Sequence, residues 1–277
     1  MNSVPKGIVL MGPPGSGKST MALETAVNRP VHVLDLDRKV RSAQRLQPLI
    51  ESGDVTFWEL TETLIEETVK QRIQNLAQNI KSVKKPLGWE RFADMIDWLD
   101  TKEEAKKAGT WVVDSWTRAA EHAMRNILYW DDRAKSTPSD RDWGSFSTIL
   151  GESIGILIDK AKSQGKDIIF IVHERPDEIP EDNAKVMRSK DAQGIVRREY
   201  IGPMAVKIVP SIAGGYAKNM GKEFEEVYGL KVVVDDRTSD VRWVCRVHPD
   251  GKRDLRTSFK VEAAEFECDF RKIWGVK

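Results

Sequence analysis

The chain has 277 residues, with 44 Lys and Arg against 43 Asp and Glu and a formal net charge of +1. That length buries a full core and fits one large α/β domain over 1–277, with or without an appended subdomain, rather than two domains of equal weight. The balanced charge excludes a field over the whole surface, so any affinity for nucleic acid must come from a local patch. Cys245 and Cys268 show neither metal spacing nor a CxxC pair, which fits packing thiols in a reduced, cytoplasmic compartment. No apolar run approaches the roughly 18 residues that span a bilayer, so neither secretion nor a membrane role is expected.

Gly7–Met11 is the first predicted strand. It runs into Gly12-Pro13-Pro14-Gly15-Ser16-Gly17-Lys18-Ser19-Thr20, which satisfies G-x-x-x-x-G-K-[ST] ahead of a helix predicted over Ser19–Asn28. Glycines let successive backbone N–H groups turn inward around a β-phosphate, and the positive end of the helix adds to the field. In such a loop the lysine, Lys18, reaches the β and γ oxygens, and the Ser19 hydroxyl ligates Mg²⁺. Motif and context together predict nucleotide binding.

The second strand, Val31–Leu36, ends in Asp35-Leu36-Asp37, and a helix is predicted over Val40–Glu51. A strand over Val55–Leu60 follows, carrying Glu59. Helical patterns then cover Leu60–Val83 and Trp89–Lys107, the latter with an apolar stripe of Trp89, Phe92, Ile96 and Leu99. The fourth strand, Trp111–Val113, leads to Asp114-Ser115, and the fifth, Ile168–Val172, to His173-Glu174. Strand alternating with helix predicts a doubly wound α/β fold with a mostly parallel sheet and ligands at the carboxyl ends of its strands.

Asp114 at such an end is the expected second anchor for Mg²⁺. Many P-loop ATPases place a glutamate directly after that aspartate, where this chain has Ser115. Asp37 is the expected catalytic base, with Asp35 and Glu59 behind it; the competing reading makes Asp37 a cap for the helix starting near Val40. His173 reads equally as a γ-phosphate sensor or as a structural histidine.

Glu174–Tyr200, "ERPDEIPEDNAKVMRSKDAQGIVRREY", lacks an apolar period and is expected to be a long functional loop. Lys218–Tyr228 reads as a helix and Leu230–Val234 as a strand. Val241–Val247 alternates Val, Trp, Cys and Val, expected inward, against Arg242 and Arg246, expected outward, and the turn at Pro249-Asp250-Gly251 is expected to return it as a hairpin with Arg253–Phe259. A short helix near Ala263–Trp274 is expected to close the chain.

The P-loop, Asp35-Leu36-Asp37, "WVVDS" and "IIFIVHE", in this order, resemble the RecA-like ATPase core. More closely, the chain resembles phage-type nucleotide-binding proteins of the AAA family, including core-only RecA relatives that act as single-strand annealing proteins. The resemblance runs over most of the chain and implies a P-loop NTPase fold, a RecA-like mostly parallel sheet flanked by helices, with a C-terminal β-hairpin extension. It also implies that the fifth strand lies between the P-loop strand and the Asp114 strand. The family's catalytic glutamate corresponds to Asp37, one methylene shorter, which implies slow hydrolysis, and its polar sensor corresponds to His173.

By order, the two DNA-contacting loops of the family fall on Arg125–Gly144 and Arg175–Arg198. The second carries Arg188, Lys190, Arg197 and Arg198, enough to neutralise several phosphates, while its acidic start would repel them. The first offers Trp130 and Trp143 among Arg133, Lys135 and Arg141 for stacking on single-stranded bases, or else holds its tryptophans against the core. Arg253 or Arg256 could act in trans on the phosphates of a neighbouring subunit.

The resulting expectation is an ATP- and Mg²⁺-dependent ATPase, a homo-oligomeric ring or filament that binds single-stranded DNA, with a single-strand-binding protein as a further partner. The alternatives are a motor or assembly factor acting on duplex DNA or protein, and a small-molecule phosphotransferase. No guanine-reading N-K-x-D motif is present, which favours ATP.

Overall fold

Gly7–Gly12 is a run of apolar residues between glycines, and such a run is stable only when covered on both faces, as in the middle of a parallel sheet. It forms β1, buried throughout. The computed structural model describes residues 4–60, 86–134, 136–180, 185–190, 196–201, 204–212, 216–234, 239–250 and 252–275. After β1 come β2 (Val31–Asp35), β3 (Val55–Glu59), β4 (Thr110–Asp114), β5 (Asp167–Pro180), β6 (Lys185–Lys190), β7 (Val196–Ile201), β8 (Met204–Pro210), β9 (Glu226–Val234), β10 (Val241–Arg246) and β11 (Glu265–Glu267).

One sheet runs in the order β11-β10-β9-β1-β5-β4-β2-β3, with β8 paired to the outer part of β5. From β9 to β3 neighbouring strands are parallel. β5 lies between β1 and β4, as the RecA-like resemblance implies, with Gly12 opposite His173 and Asp114 opposite Ile171. The register brings the carboxyl ends of β1, β2 and β4 to one edge, level with the middle of β5 at Ile171–His173.

Alternate residues of the central strands feed two cores. Val9 and Met11 face one, under α3 (Gly88–Trp98), α5 (Trp116–Trp130) and α6 (Asp140–Ser163); Ile8 and Leu10 face the other, under α1 (Lys18–Glu24). Phe92, Trp116, Phe170 and Phe224 form a chain of edge-on rings through the first core, with centroids 5.9, 5.3 and 5.1 Å apart. Each such buried side chain stabilises the fold by about 1.5–3 kcal/mol. No helix among the described residues is long and apolar enough to cross a membrane.

Several elements differ from the sequence reading. The Val40–Glu51 helix shrinks to a 3₁₀ turn at Gln44–Leu46 and α2 at Gln47–Glu51, because the Asp35 carboxylate takes the N–H groups of Lys39 and Val40 and bends the chain there. Trp89–Lys107 divides into α3 and α4 (Glu103–Lys107), with the break after Leu99. The stripe is correct: Phe92, Ile96 and Leu99 are buried and Trp89 packs against them. Leu60–Val83 lies outside the described residues, apart from Leu60.

The expected loop over Glu174–Tyr200 is largely extended. β5 continues to Pro180 and pairs antiparallel with β8, from Glu174 opposite Pro210 to Pro180 opposite Met204. β6 and β7 form a separate ribbon. A ribbon satisfied by backbone pairing needs no apolar period, so pattern reading takes it for a loop. Tyr216–Asn219 (α7) and a 3₁₀ turn at Met220–Glu223 replace the longer helix, and Glu226–Tyr228 is strand because it pairs with Ile8–Leu10.

The C-terminal hairpin is β9–β10 rather than the expected pairing of β10 with Arg253–Phe259: Val241 lies opposite Val234 and Arg246 opposite Gly229. The Arg253–Phe259 segment contributes an isolated bridge between Arg256 and Val227. The expected terminal helix divides into β11, which takes the outer edge of β10, and α8 (Phe270–Ile273).

Candidate nucleotide site

Between β1 and α1 the chain makes the turn that its glycines permit. Gly15 and Gly17 have φ of +79° and +86°, a region that disfavours side chains. At Gly12 the constraint is space, since a Cβ would sit 2.5 Å from the Leu230 carbonyl oxygen. Lys18 turns back into the loop and donates to the carbonyl oxygens of Gly12 (2.8 Å) and Pro13 (2.7 Å). Burial pulls its ammonium down to about 8, so an entering phosphate would supply the anion that this buried cation lacks.

Ser19, at the start of α1, donates to the Asp114 carboxylate at 2.7 Å. Asp114 is almost fully buried, and burial pushes its carboxyl up to about 6 against the hydrogen bond from Ser19. A hydroxyl and a carboxylate at this distance fit Mg²⁺, which is held at such sites by one or two protein oxygens, phosphate oxygens and water. Among the described residues no cluster of three or more His, Cys, Asp or Glu could hold a metal ion. A bound Mg²⁺ would neutralise charge between the β- and γ-phosphates.

The three carboxylates weighed as the base separate clearly. Asp35 is buried and anchors the turn through Lys39 and Val40 N–H; no helix starts near Val40, so the capping role weighed for Asp37 is not filled. Glu59 sits opposite Asp35 on β3 and does not line the cavity. Asp37 does line it, held there because its N–H donates to the Asp114 carbonyl oxygen at 3.2 Å. Its carboxylate meets Lys39 Nζ at 3.1 Å and His173 Nε2 at 3.8 Å. Burial alone would raise the Asp37 carboxyl, but the neighbouring His173 ring and the hydrogen-bonded Lys39 ammonium outweigh it and hold the group at about 2. So weak a proton acceptor can orient water better than it can deprotonate it. Ser115, in the position where many ATPases have glutamate, is the N-cap of α5, its side chain accepting from Arg118 N–H.

His173 is fixed by its backbone, its N–H donating to Thr117 Oγ1 (3.0 Å) and its carbonyl accepting from Ser211 N–H (2.6 Å). Its Nδ1 is buried with no hydrogen-bond partner among the described residues. The ring lines both the P-loop cavity and a smaller one of about 340 Å³ that holds Ser115, Thr117 and Glu121.

The P-loop cavity has a volume of about 590 Å³ and gathers Lys18, Ser19, Thr20, Asp37, Asp114 and His173 from four chain segments. Trp243 on β10 also lines it; the alternation of this strand was expected to turn Val241 and Trp243 inward, but both are exposed. Trp243 Nε1 donates to the Gly15 carbonyl oxygen at 3.2 Å, and the ring comes within 3.0 Å of where a Gly17 Cβ would stand.

A family model described as an AAA domain matches residues 5–239. The chain belongs to the AAA domain family. No curated protein matches it. Among solved structures, the flagellar accessory protein FlaH from Methanocaldococcus jannaschii is similar at 10% identity over 95% of this chain and 85% of that one, with a TM-score of 0.39. The KaiC-like protein PH0186 from Pyrococcus horikoshii OT3 is similar at 12% identity over 92% and 83%, with a TM-score of 0.42. Both scores lie below 0.5, so the fold rests on the strand order and the P-loop.

Other residues singled out in this AAA-domain chain have different fates. Arg253 forks onto Glu174 (3.0 and 2.7 Å) and pairs with Asp250 (2.8 Å), which commits it within its own subunit and removes it as a trans-acting arginine. Arg256 is exposed and carries that reading alone. Trp143 packs half-buried on the core, edge-on to Phe146 with centroids 5.7 Å apart, so it is not a stacking platform. Its loop is pinned by an Arg133–Asp142 ion pair and the Ser139–Asp142 capping box at the start of α6. Lys135 lies outside the described residues. The β6–β7 ribbon sets Arg188 opposite Arg198 and Ser189 opposite Arg197, and ends its pairing with Lys190 opposite Val196.

Proposed function

We propose that this AAA-domain protein binds ATP with Mg²⁺, hydrolyses it slowly, and uses the γ-phosphate as a switch for binding single-stranded DNA during annealing or strand exchange. The observation that carries the reading is the continuity of β5. One strand holds His173 at the P-loop edge and runs on to Pro180, where its pairing with β8 leads towards the ribbon carrying Arg188, Lys190, Arg197 and Arg198. A ligand at His173 is thereby tied to a basic element outside the core, and several such cations supply a salt-dependent phosphate grip. The low proton affinity of Asp37 supports slow turnover.

The test is a titration of labelled single-stranded and duplex oligonucleotides, with and without ATP and Mg²⁺, at two salt concentrations. Single-stranded binding that rises with ATP and falls with salt is the expected outcome. Negligible binding throughout would remove DNA from the proposal and leave the second reading, an assembly factor acting on protein.

A further inference from the structure

We propose that Trp243 is the platform on which the nucleobase stacks, and that the base is a purine; this rests on the nucleotide reading of the P-loop. The five-membered ring of the indole lies against the loop: Cδ1 is 3.0 Å and Cγ 3.4 Å from a Gly17 Cβ position, and Nε1 is bonded to Gly15. The six-membered ring is on the other side of the indole, away from the loop. A nucleotide whose β- and γ-phosphates occupy the loop leaves its ribose and base outside it.

Packing does not account for this tryptophan. It is 47% exposed, as is Val241 on the same face of β10, whereas Cys245, two residues further along that face, is fully buried. The apolar face of the β9–β10 hairpin therefore runs out of the core and continues along the cavity wall. The bond from Nε1 to Gly15 fixes the ring while leaving a π-face to stack. Stacking on an aromatic is tolerant of base identity but stronger for the larger ring system, hence a purine. β10 lies beyond the segment matched by the family model.

Binding of ATP, CTP and inorganic triphosphate, each with Mg²⁺, would be measured by calorimetry for the full chain and for Trp243→Ala, Trp243→Leu and Trp243→Phe. The leucine variant keeps apolar bulk over Gly17 without a π-face, which guards against misfolding of the alanine variant. Loss of the indole is expected to weaken ATP about tenfold or more in the Ala and Leu variants, with Phe restoring most of it. Triphosphate should stay within about twofold of wild type, and wild type should bind ATP more tightly than CTP. Equal losses for ATP and triphosphate would assign Trp243 to shaping the loop and overturn the proposal, as would unchanged ATP affinity. Wild-type protein that binds neither ATP nor triphosphate would instead overturn the P-loop reading itself.

Discussion

Asp37 and His173, which are 136 positions apart, meet at 3.8 Å between the Asp37 carboxylate and His173 Nε2, on the wall of the cavity that contains Lys18. Asp37 follows the end of β2 and His173 lies midway along β5, with β4 between the two strands, and Asp37 is tied by its own N–H to the Asp114 carbonyl. A water at this pair would be oriented by a carboxylate and watched by an imidazole. Replacing Asp37 by Asn should leave ATP affinity within about threefold and lower turnover about 10²-fold, measured as phosphate release. Unchanged turnover would discard Asp37.

Lys18 is a buried cation whose hydrogen bonds among the described residues go to the carbonyl oxygens of Gly12 and Pro13 and to the Ser16 hydroxyl, so it is suited to an anion that can displace these neutral acceptors. Lys18→Ala should weaken nucleotide binding about a hundredfold while leaving the melting temperature close to wild type, since no ion pair is lost.

Two groups at the site set opposite pH limits. Asp114, at about 6, must lose its proton to ligate Mg²⁺, and Lys18, at about 8, must keep its proton to hold phosphate. Affinity for Mg²⁺-nucleotide should therefore be highest between about pH 6 and 8 and fall on both sides, with Asp114→Asn flattening the acid limb. Stability of the free protein moves the other way at Asp114: its folded value lies above 3.8, so its contribution is full below 3.8 and is lost as pH rises through about 6. Asp37 is opposite again, contributing above 3.8 and losing that contribution as pH falls towards about 2. Calorimetric binding and thermal melts across pH 5 to 9 would check the binding limits and the Asp114 trend.

Arg253 and Glu174 are both largely shielded, at 17% and 8% side-chain exposure. Arg253→Ala would leave Glu174 without its fork and should cost about 2–3 kcal/mol, read as a lower denaturant midpoint. Turnover per folded molecule should be unchanged; a selective loss of turnover would restore the trans-acting reading.

Gly12→Ala should destabilise the protein by about 1–3 kcal/mol, because its Cβ would strike the Leu230 carbonyl oxygen, a backbone atom that cannot swing away. A thermal melt would show it even without nucleotide.

Local chemistry was legible from the sequence. The P-loop works through consecutive backbone N–H groups and one lysine, so its motif is nearly its structure, and the buried strands are apolar runs bounded by turn residues. Asp114 and His173 were found because a polar residue directly after such a run must emerge at the sheet edge. Choosing between Asp35 and Asp37 needed coordinates, because the two carboxylates lie two residues apart and differ in what folds over them. The ribbons were missed because backbone pairing holds them without any apolar period, and the β9–β10 hairpin because two strand partners competed for one stretch.

By itself, then, the sequence determined that a phosphate could be gripped and roughly which carboxylates stand near it. Only the tertiary structure decided what closes the site: Trp243 reaches Gly15 across 228 positions, and Arg253 finds Glu174 across 79. Contacts between residues so far apart leave no periodicity in the chain, and sheet order, set by the packing of both cores, is what brings them together.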